Sequence, residues 1–234
     1  MMATAALCLD LDDTLWPVGP AIIGAEAAAV EFLARYYPHV AAQNTIADMR
    51  AWRLRVAIEH PARGHDLTWL RQEALRQQAV AAGCGPAEAE RMAAATFEVF
   101  FAARHAVEPY AEVAEALERL AAAFPLYALS NGNAELERTP LGGYFRAAFS
   151  ARGLGVAKPD RAAFLAVVKA AGIAPQAMLH VGDDPQADVH GAQQAGLRTA
   201  WIHRGQQHWP EALPRADHEF ADLGGLADYL LGPV

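Results

Sequence analysis

Acidic side chains cluster directly after the first apolar segment of the chain. Residues 5–9 can form a buried strand, and they are followed by Asp10, Asp12 and Asp13. Burying charge is costly unless another group compensates it, and carboxylates at this spacing can hold a divalent cation. The end of a strand is also where ligands bind in open α/β sheets. The segment therefore predicts a metal-dependent reaction centre.

Three later segments carry further polar groups at strand ends or in a loop. These groups are Ser130, Asn131, Lys158, Asp183, Asp184 and Asp188. Because parallel strands end at one edge of a sheet, we expect these side chains to converge on the first acidic cluster. Several acids, one lysine and one hydroxyl at one place would form a site for transferring a phosphoryl group.

The residues from 109 onwards alternate between helical and strand patterns. Strands are predicted at 126–130, 148–150, 178–182, 199–202 and, weakly, 218–220; helices are predicted at 110–123, 159–171 and 185–195, with a last helix closing the chain. Gly172 and Gly196 stand where helices often end on a glycine. Strands separated by helices pair in parallel with right-handed crossovers, so the pattern predicts an α/β core with a parallel sheet.

The residues between these two parts are helical in pattern and rich in alanine, arginine and glutamate. Residues 16–20 have the composition of a linker, and four apolar faces follow between 21 and 104, enough for a small helical bundle. We therefore predict an α/β domain from 1–16 and 108–234, interrupted by a helical domain at 17–107.

Composition limits the classes of function. The 234 residues include 19 basic and 27 acidic side chains, a net charge of −8, which argues against a nucleic-acid binder but permits a small anionic substrate. Two cysteines are too few for a disulfide framework, and Cys8 is expected in the core. The first apolar run is broken by Asp10, so neither a signal peptide nor a membrane span is predicted, and a cytoplasmic location is expected.

The four polar segments together resemble the four motifs of the haloacid dehalogenase superfamily, whose commonest members are Mg²⁺-dependent phosphatases. The match is in Asp10-Leu11-Asp12-Asp13-Thr14-Leu15, Ser130-Asn131, Lys158-Pro159 and Gly182-Asp183-Asp184, in this order. The resemblance implies a Rossmann-like parallel sheet. It also implies that the helical insertion is the α-helical cap that one subgroup carries between its first two motifs.

The same resemblance implies roles for the site residues. Asp10 would be the nucleophile that forms an aspartyl-phosphate, and Asp12 would protonate the leaving alcohol and then activate water. Lys158 would keep Asp10 ionised and stabilise the phosphoryl oxygens. The full set implied is Asp10, Asp12 (through its carbonyl) and Asp183 for Mg²⁺, Ser130 and Asn131 for the phosphate, and Asp184 and Asp188 for orienting the metal's waters and the lysine.

Asp12 also bears on the type of reaction, because the dehalogenating members of the superfamily have no acid at this position. Phosphate-ester hydrolysis is therefore favoured over carbon–halogen cleavage. Within the superfamily, the cap residues His60-Pro61, 65–68 and Arg71 are similar to a bacterial subgroup that acts on FMN and on the phosphorylated ribitylaminouracil intermediate of riboflavin synthesis. A small phosphorylated metabolite is thus the expected substrate.

Alternatives stay open at this point. The same fold could support a phosphosugar mutase or a nucleotidase, and a non-enzymatic protein could keep the metal site while working through its helical domain. Phosphorylatable receiver domains share the acidic pocket but are shorter and lack the insertion. Helical-domain side chains are expected to be structural: arginines on solvated faces or in helix ion pairs (Arg50, Arg53, Arg71, Arg76) and tryptophans in the core or at the hinge (Trp16, Trp52, Trp69). The sequence leaves the oligomeric state open.

Overall fold

A computed structural model of the chain describes residues 4–205 and 208–232. Its strands are β1 (Ala6–Leu9), β2 (Leu126–Ser130), β3 (Ala147–Ser150), β4 (Met178–Gly182), β5 (Arg198–Ile202) and β6 (His218–Phe220). Its α-helices are α1 (Val18–Tyr36), α2 (Pro38–Ala41), α3 (Ile46–Glu59), α4 (Leu67–Ala81), α5 (Pro86–Arg104), α6 (Val113–Ala123), α7 (Ala151–Leu154), α8 (Arg161–Ala171), α9 (Gly191–Gln194) and α10 (Leu223–Leu231). The chain divides into two compact units, Met1–Pro17 with Glu108–Val234, and Val18–Val107.

The first unit contains one sheet of six strands in the order β3-β2-β1-β4-β5-β6, and every neighbouring pair is parallel. The central strands β1, β2 and β4 are buried along their whole length, as expected for parallel strands that are covered on both faces. The predicted α/β class with a Rossmann-like parallel sheet is confirmed. Because all strands run in one direction, the carboxyl ends of β1, β2 and β4 lie at a common edge.

The helix predicted at 185–195 differs from the observed one. A π-helix spans Pro185–His190, and α9 continues from Gly191. The helix approaches its surroundings closely at Gly191, where a Cβ atom would lie 2.8 Å from both Phe164 Cε2 and Pro159 Cα. A glycine is therefore needed at this position. Single π-turns inside helices are frequent at functional sites, and this one contains Asp188.

The second unit is a bundle in which α5 packs against α1 and α4, and α4 packs against α3. Its main core cluster includes Leu33, Leu75, Met92, Phe97 and Phe100. A smaller cluster of Val56, Leu70 and Ala74 is covered by the partly buried rings of Trp52 and Trp69.

Two local expectations for the segments around this bundle need correction. The predicted linker at 16–20 is wrong in its second half, because α1 begins at Val18; Pro20 lies in the first helical turn, where no backbone N–H is required. The short helix α2 follows directly at Pro38, where only a break was predicted. Trp16, predicted to be a packing residue at the hinge, is 0% exposed, as a packing role requires. Among the described residues, no helix is long and apolar enough to cross a bilayer.

Candidate active site

Asp10 leaves the buried strand β1 at the edge where β4 also ends. Its backbone N–H donates to the carbonyl of Val181 over 2.8 Å, which extends the pairing of the two strands by one residue. The side chain of Asp10 therefore begins where the strand stops, and the residue is only 7% exposed.

Lys158 brings a positive charge to this carboxylate. Its Nζ lies 2.5 Å from Asp10 Oδ1 and 2.6 Å from Asp188 Oδ1, and the residue is 4% exposed. Asn131, which follows β2 directly, fixes the lysine's backbone from both sides: its Oδ1 accepts from the Lys158 N–H and its Nδ2 donates to the Lys158 carbonyl, each over 2.8 Å. Asn131 thus positions the lysine across 27 residues of sequence.

Asp188 is held by several hydrogen bonds at once. Besides Lys158, its carboxylate contacts His180 Nε2 over 3.0 Å and accepts from the backbone N–H of Asp184 over 3.0 Å. Gly182 makes room for it, since a Cβ atom there would overlap the Asp188 carboxylate. These bonds hold Asp188 as an orienting partner of the lysine.

Asp183 follows β4 directly and is fixed through both its side chain and its backbone. Thr14 Oγ1 donates to Asp183 Oδ1 over 3.1 Å, and Trp201 Nε1 donates to the Asp183 carbonyl over 2.7 Å. Each of Asp10, Asp183 and Asp188 offers one carboxylate oxygen, and these three oxygens lie within 4.8 Å of one another.

Asp12 lies on another side of the cluster, next to the loop that follows β2. Trp16 Nε1 donates to Asp12 Oδ1 over 2.8 Å, while a Cβ atom on Gly132 would overlap Asp12 Oδ2 and lie 3.1 Å from Ser130 Oγ. Ser130 Oγ accepts from the Gly132 N–H over 2.9 Å. Asp12, Ser130 and Gly132 are therefore immediate neighbours.

Burial and charge shift the pKa values of this cluster. Burial raises the pKa of Asp10 well above its ordinary value, and the nearby Lys158 only partly opposes this. Burial works in the same direction at Asp188, but Lys158 and His180 outweigh it and lower that pKa. Burial disfavours the charged form of Lys158, yet Asp10 and Asp188 raise its pKa above the ordinary value. Lys158 is therefore cationic at neutral pH.

The cluster has fewer positive charges than negative ones. Asp10, Asp183 and Asp188 bring three carboxyl groups together, whereas Lys158 pairs with only two of them, and burial lowers the pKa of His180, which favours the neutral form of that ring. A buried excess of negative charge needs a cation. The donors available are carboxylate oxygens, the ligands that Mg²⁺ prefers. The residues present therefore fit a magnesium ion.

The structure places all the site residues predicted from the sequence at this one edge of the sheet. The role of each of these residues depends on the hydrogen bonds that its side chain makes. Asp184 in particular uses its side chain to cap the following helix, accepting from the N–H groups of Gln186 and Ala187 over 2.8 Å, so it orients the site only through its backbone bond to Asp188.

Four participants were not assigned to the site from the sequence, namely Thr14, Trp16, His180 and Trp201. Each donates a hydrogen bond to, or contacts, one of the acids. Thr14 lies within the first acidic motif, and its position in the sequence therefore indicates that it belongs to the site. Trp201 is 18 residues from the acid it contacts, and no local pattern in the sequence indicates the pairing.

Comparison with protein families gives a match over most of the chain. The family model described as haloacid dehalogenase-like hydrolase matches residues 4–196. This range covers the acidic strand end, the helical unit, the lysine loop and the carboxylates that follow β4.

Two curated proteins and one solved structure are similar over nearly the whole chain. The 5-amino-6-(5-phospho-D-ribitylamino)uracil phosphatase YigB of Escherichia coli is 33% identical over 85% of this chain and 83% of its own length. The phosphoserine phosphatase of Thermus thermophilus is 34% identical over 89% and 92%. The crystal structure of a 2-haloacid dehalogenase from Pseudomonas syringae aligns with a TM-score of 0.90 at 38% identity, covering 97% of this chain and 98% of that one.

Proposed function

The chain belongs to the haloacid dehalogenase-like hydrolases, and from this premise we propose that it is a Mg²⁺-dependent phosphatase that hydrolyses a small phosphomonoester. The observation that carries the proposal is the contact of Lys158 Nζ with Asp10 at 2.5 Å, beside Asp183 and Asp188. Relatives named as phosphatases over 85% and 89% of the chain support it. The helical unit is proposed to be the cap of this family.

In the first half of the reaction, a carboxylate oxygen of Asp10 attacks the phosphorus atom of the substrate. The bond from phosphorus to the leaving oxygen breaks, and Asp12 gives its proton to that oxygen, so that an alcohol departs. The bond from Trp16 Nε1 holds the Asp12 carboxyl group in one orientation. The product of this step is an aspartyl-phosphate on Asp10.

In the second half, a water molecule attacks the phosphorus atom of this intermediate. Asp12 takes the proton from the water, and the bond from phosphorus to Asp10 breaks to release inorganic phosphate. Lys158 stabilises the phosphoryl oxygens in both halves, and Asn131 and Asp188 keep its ammonium group in place. Ser130 would donate its hydroxyl hydrogen to a phosphate oxygen, since its Oγ already accepts from Gly132.

Asp10, the carbonyl of Asp12 and Asp183 would hold the Mg²⁺ ion. When bound, the ion supplies positive charge that reduces the repulsion between the carboxylate nucleophile and an anionic phosphate. Thr14 orients Asp183 for this purpose through its 3.1 Å hydrogen bond.

The substrate class follows from the relatives and from the cap residues that resemble the riboflavin-related subgroup. FMN and phosphorylated ribitylaminouracil are the first candidates, because a phosphatase for the latter matches most of the chain. Phosphoserine is the next, on the same ground. Because fold alone does not determine substrate, the choice needs direct measurement.

The dehalogenase name of the similar solved structure makes carbon–halogen cleavage the second candidate. In a phosphatase Asp12 has a proton to deliver to an alkoxide, whereas halide is a weak base and needs no proton. The hydrogen-bonded Asp12 therefore favours the phosphatase.

The test measures inorganic phosphate released from p-nitrophenyl phosphate, FMN and phosphoserine, with Mg²⁺ and with excess EDTA. We expect Mg²⁺-dependent release from at least one of them. Chloride release from 2-chloropropionate, assayed in parallel, tests the dehalogenase. Phosphate release from none of the esters, or chloride release alone, would overturn the proposal, and conversion of a phosphosugar into an isomer would identify a mutase.

A further inference from the structure

Arg71 is a largely buried cationic side chain in the helical unit, and no acidic side chain of the residues that the structure describes forms an ion pair with it. It lies in the first half of α4, and its guanidinium carbon stands 3.6 Å from the ring centre of Phe100 on α5. Its Nε atom is buried and has no hydrogen-bond acceptor among the described residues. The sequence-based expectation of a solvated or ion-paired arginine is therefore wrong for Arg71.

The charges around Arg71 are mostly of its own sign. Burial is the largest cause that lowers its pKa, the positive charges of Arg53, Arg104 and Arg50 lower it as well, and Glu26 opposes them, so that the pKa is about 9. Glu26 is already committed, since it accepts from Arg50 Nε and Nη2 at 3.1 and 2.5 Å. Even a pKa near 9 leaves Arg71 protonated at neutral pH.

A guanidinium whose Nε–H is buried without an acceptor is costly to keep, because this one of its five N–H donors has lost its hydration without compensation. The ring of Phe100 supplies a cation–π contact, which offsets only part of that loss. An apolar side chain of similar length would fill the same space without the penalty.

Such an arrangement is suited to an anion supplied from outside the chain. The guanidinium fork matches the two oxygens of a carboxylate or a phosphate. We propose that the helical unit binds a carboxylate or phosphate group of a small molecule at Arg71, with Arg53 as a second source of positive charge. The proposal concerns only residues of the helical unit, so it stands or fails independently of the phosphatase chemistry.

The binding test follows the Arg71 Nε–H signal in a ¹H–¹⁵N NMR spectrum of the full-length protein, assigned by its absence in Arg71→Lys. Inorganic phosphate and, separately, acetate are added in a low-chloride buffer. We expect a saturable shift of this signal with at least one of them. The signal belongs to the Arg71 side chain itself and therefore reports on binding in the helical unit. No shift up to millimolar concentrations of both anions would overturn the proposal.

A stability measurement gives a second, independent result. In a buffer free of binding anions, Arg71→Met removes the uncompensated charge. We therefore expect its Tm to lie between that of the wild type and a value about 2–4 °C higher. The matched control is Arg76→Met on the same helix, which breaks the 2.6 Å ion pair with Glu73 and has no reason to raise the Tm. A Tm for Arg71→Met that falls well below the wild type would identify a structural arginine and contradict the proposal.

The anion has two possible sources, a second acidic group on the substrate or a separate small molecule. If the substrate supplies it, Arg71→Met raises KM for phosphoserine about 10-fold or more and changes KM for p-nitrophenyl phosphate less than twofold. If a separate molecule supplies it, both KM values change equally or not at all while the wild-type NMR shift persists. The first result identifies the substrate as the source of the anion and the second identifies a separate molecule, whereas unchanged KM values together with an unshifted NMR signal overturn the proposal.

Discussion

Lys158 in the α/β unit is buried and Arg71 in the helical unit is largely buried, but the surroundings of these two cationic groups are opposite. Two carboxylates lie within 2.6 Å of the lysine ammonium, whereas the arginine faces an aromatic ring and further arginines. The first cluster keeps an excess of negative charge, and the second keeps an excess of positive charge around its central residue. In each cluster, the net charge that remains after internal pairing is opposite in sign to the ligand that we propose for it.

Removing the lysine should have the largest effect. Lys158→Met leaves Asp10 and Asp188 without their cation, so we expect a loss of about 3–5 kcal/mol in the free energy of unfolding without Mg²⁺. The rate of phosphate release should fall roughly 10²–10³-fold. Urea denaturation and a p-nitrophenyl phosphate assay measure the two effects, with the exposed Lys169→Met as control. If Lys158→Met were as stable as the wild type, the two carboxylates would not make Lys158 more important for stability than Arg71.

Metal binding should come next in size. Mg²⁺ at 100 times its Kd should stabilise the wild-type protein by about 2.7 kcal/mol, a rise of roughly 5–10 °C in Tm. Asp183→Asn loses one ligand charge, so the same Mg²⁺ concentration should raise its Tm much less. Asp160→Asn, which changes only the capping residue of α8, serves as control. An equal response of Asp183→Asn to Mg²⁺ would place the metal elsewhere.

The pH dependence of stability tests the neutral state of His180. Burial lowers its folded pKa below the ordinary value of 6.5, so the unfolded chain takes up a proton first as the pH falls. Its contribution to stability is complete above about 6.5 and is lost on acidification, by at most about 1.4 kcal/mol per pH unit. Urea denaturation between pH 7.5 and 5.5 should show a shallower loss for His180→Gln. A slope unchanged by the substitution would mean that folding does not shift the pKa of His180, and a steeper loss for His180→Gln would mean that the ring is charged in the folded protein.

The smallest effect is expected at an ion pair on the surface of α4. Glu73 bonds to Arg76, which lowers the pKa of Glu73, so the pair contributes above the ordinary pKa of 4.5 and fades as the pH falls. Because both side chains are partly solvated, Glu73→Gln should reduce the free energy of unfolding by only about 0.3–0.5 kcal/mol. Urea denaturation at pH 7 measures this change. A reduction of about 2 kcal/mol or more in the free energy of unfolding would contradict the expectation that solvent weakens this pair.

The sequence predicted the α/β site better than the helical one for a physical reason. Asp10 and Asp183 each follow a buried parallel strand, so strand direction alone brings them to one edge. The burial of Arg71 depends on which faces of α4 and α5 meet, and local periodicity does not determine this. The helix N-cap formed by Asp184 and the π-helix that contains Asp188 likewise depend on packing around Gly182 and Gly191.

The central claim is that Asp10 forms a covalent bond to the phosphoryl group. The most direct measurement is mass spectrometry of protein mixed with substrate and Mg²⁺ and quenched in acid within milliseconds. We predict a phosphoryl adduct on the peptide that contains Asp10, and none in Asp10→Asn. Rapid turnover in the wild type without any adduct, or undiminished turnover in Asp10→Asn, would contradict the account.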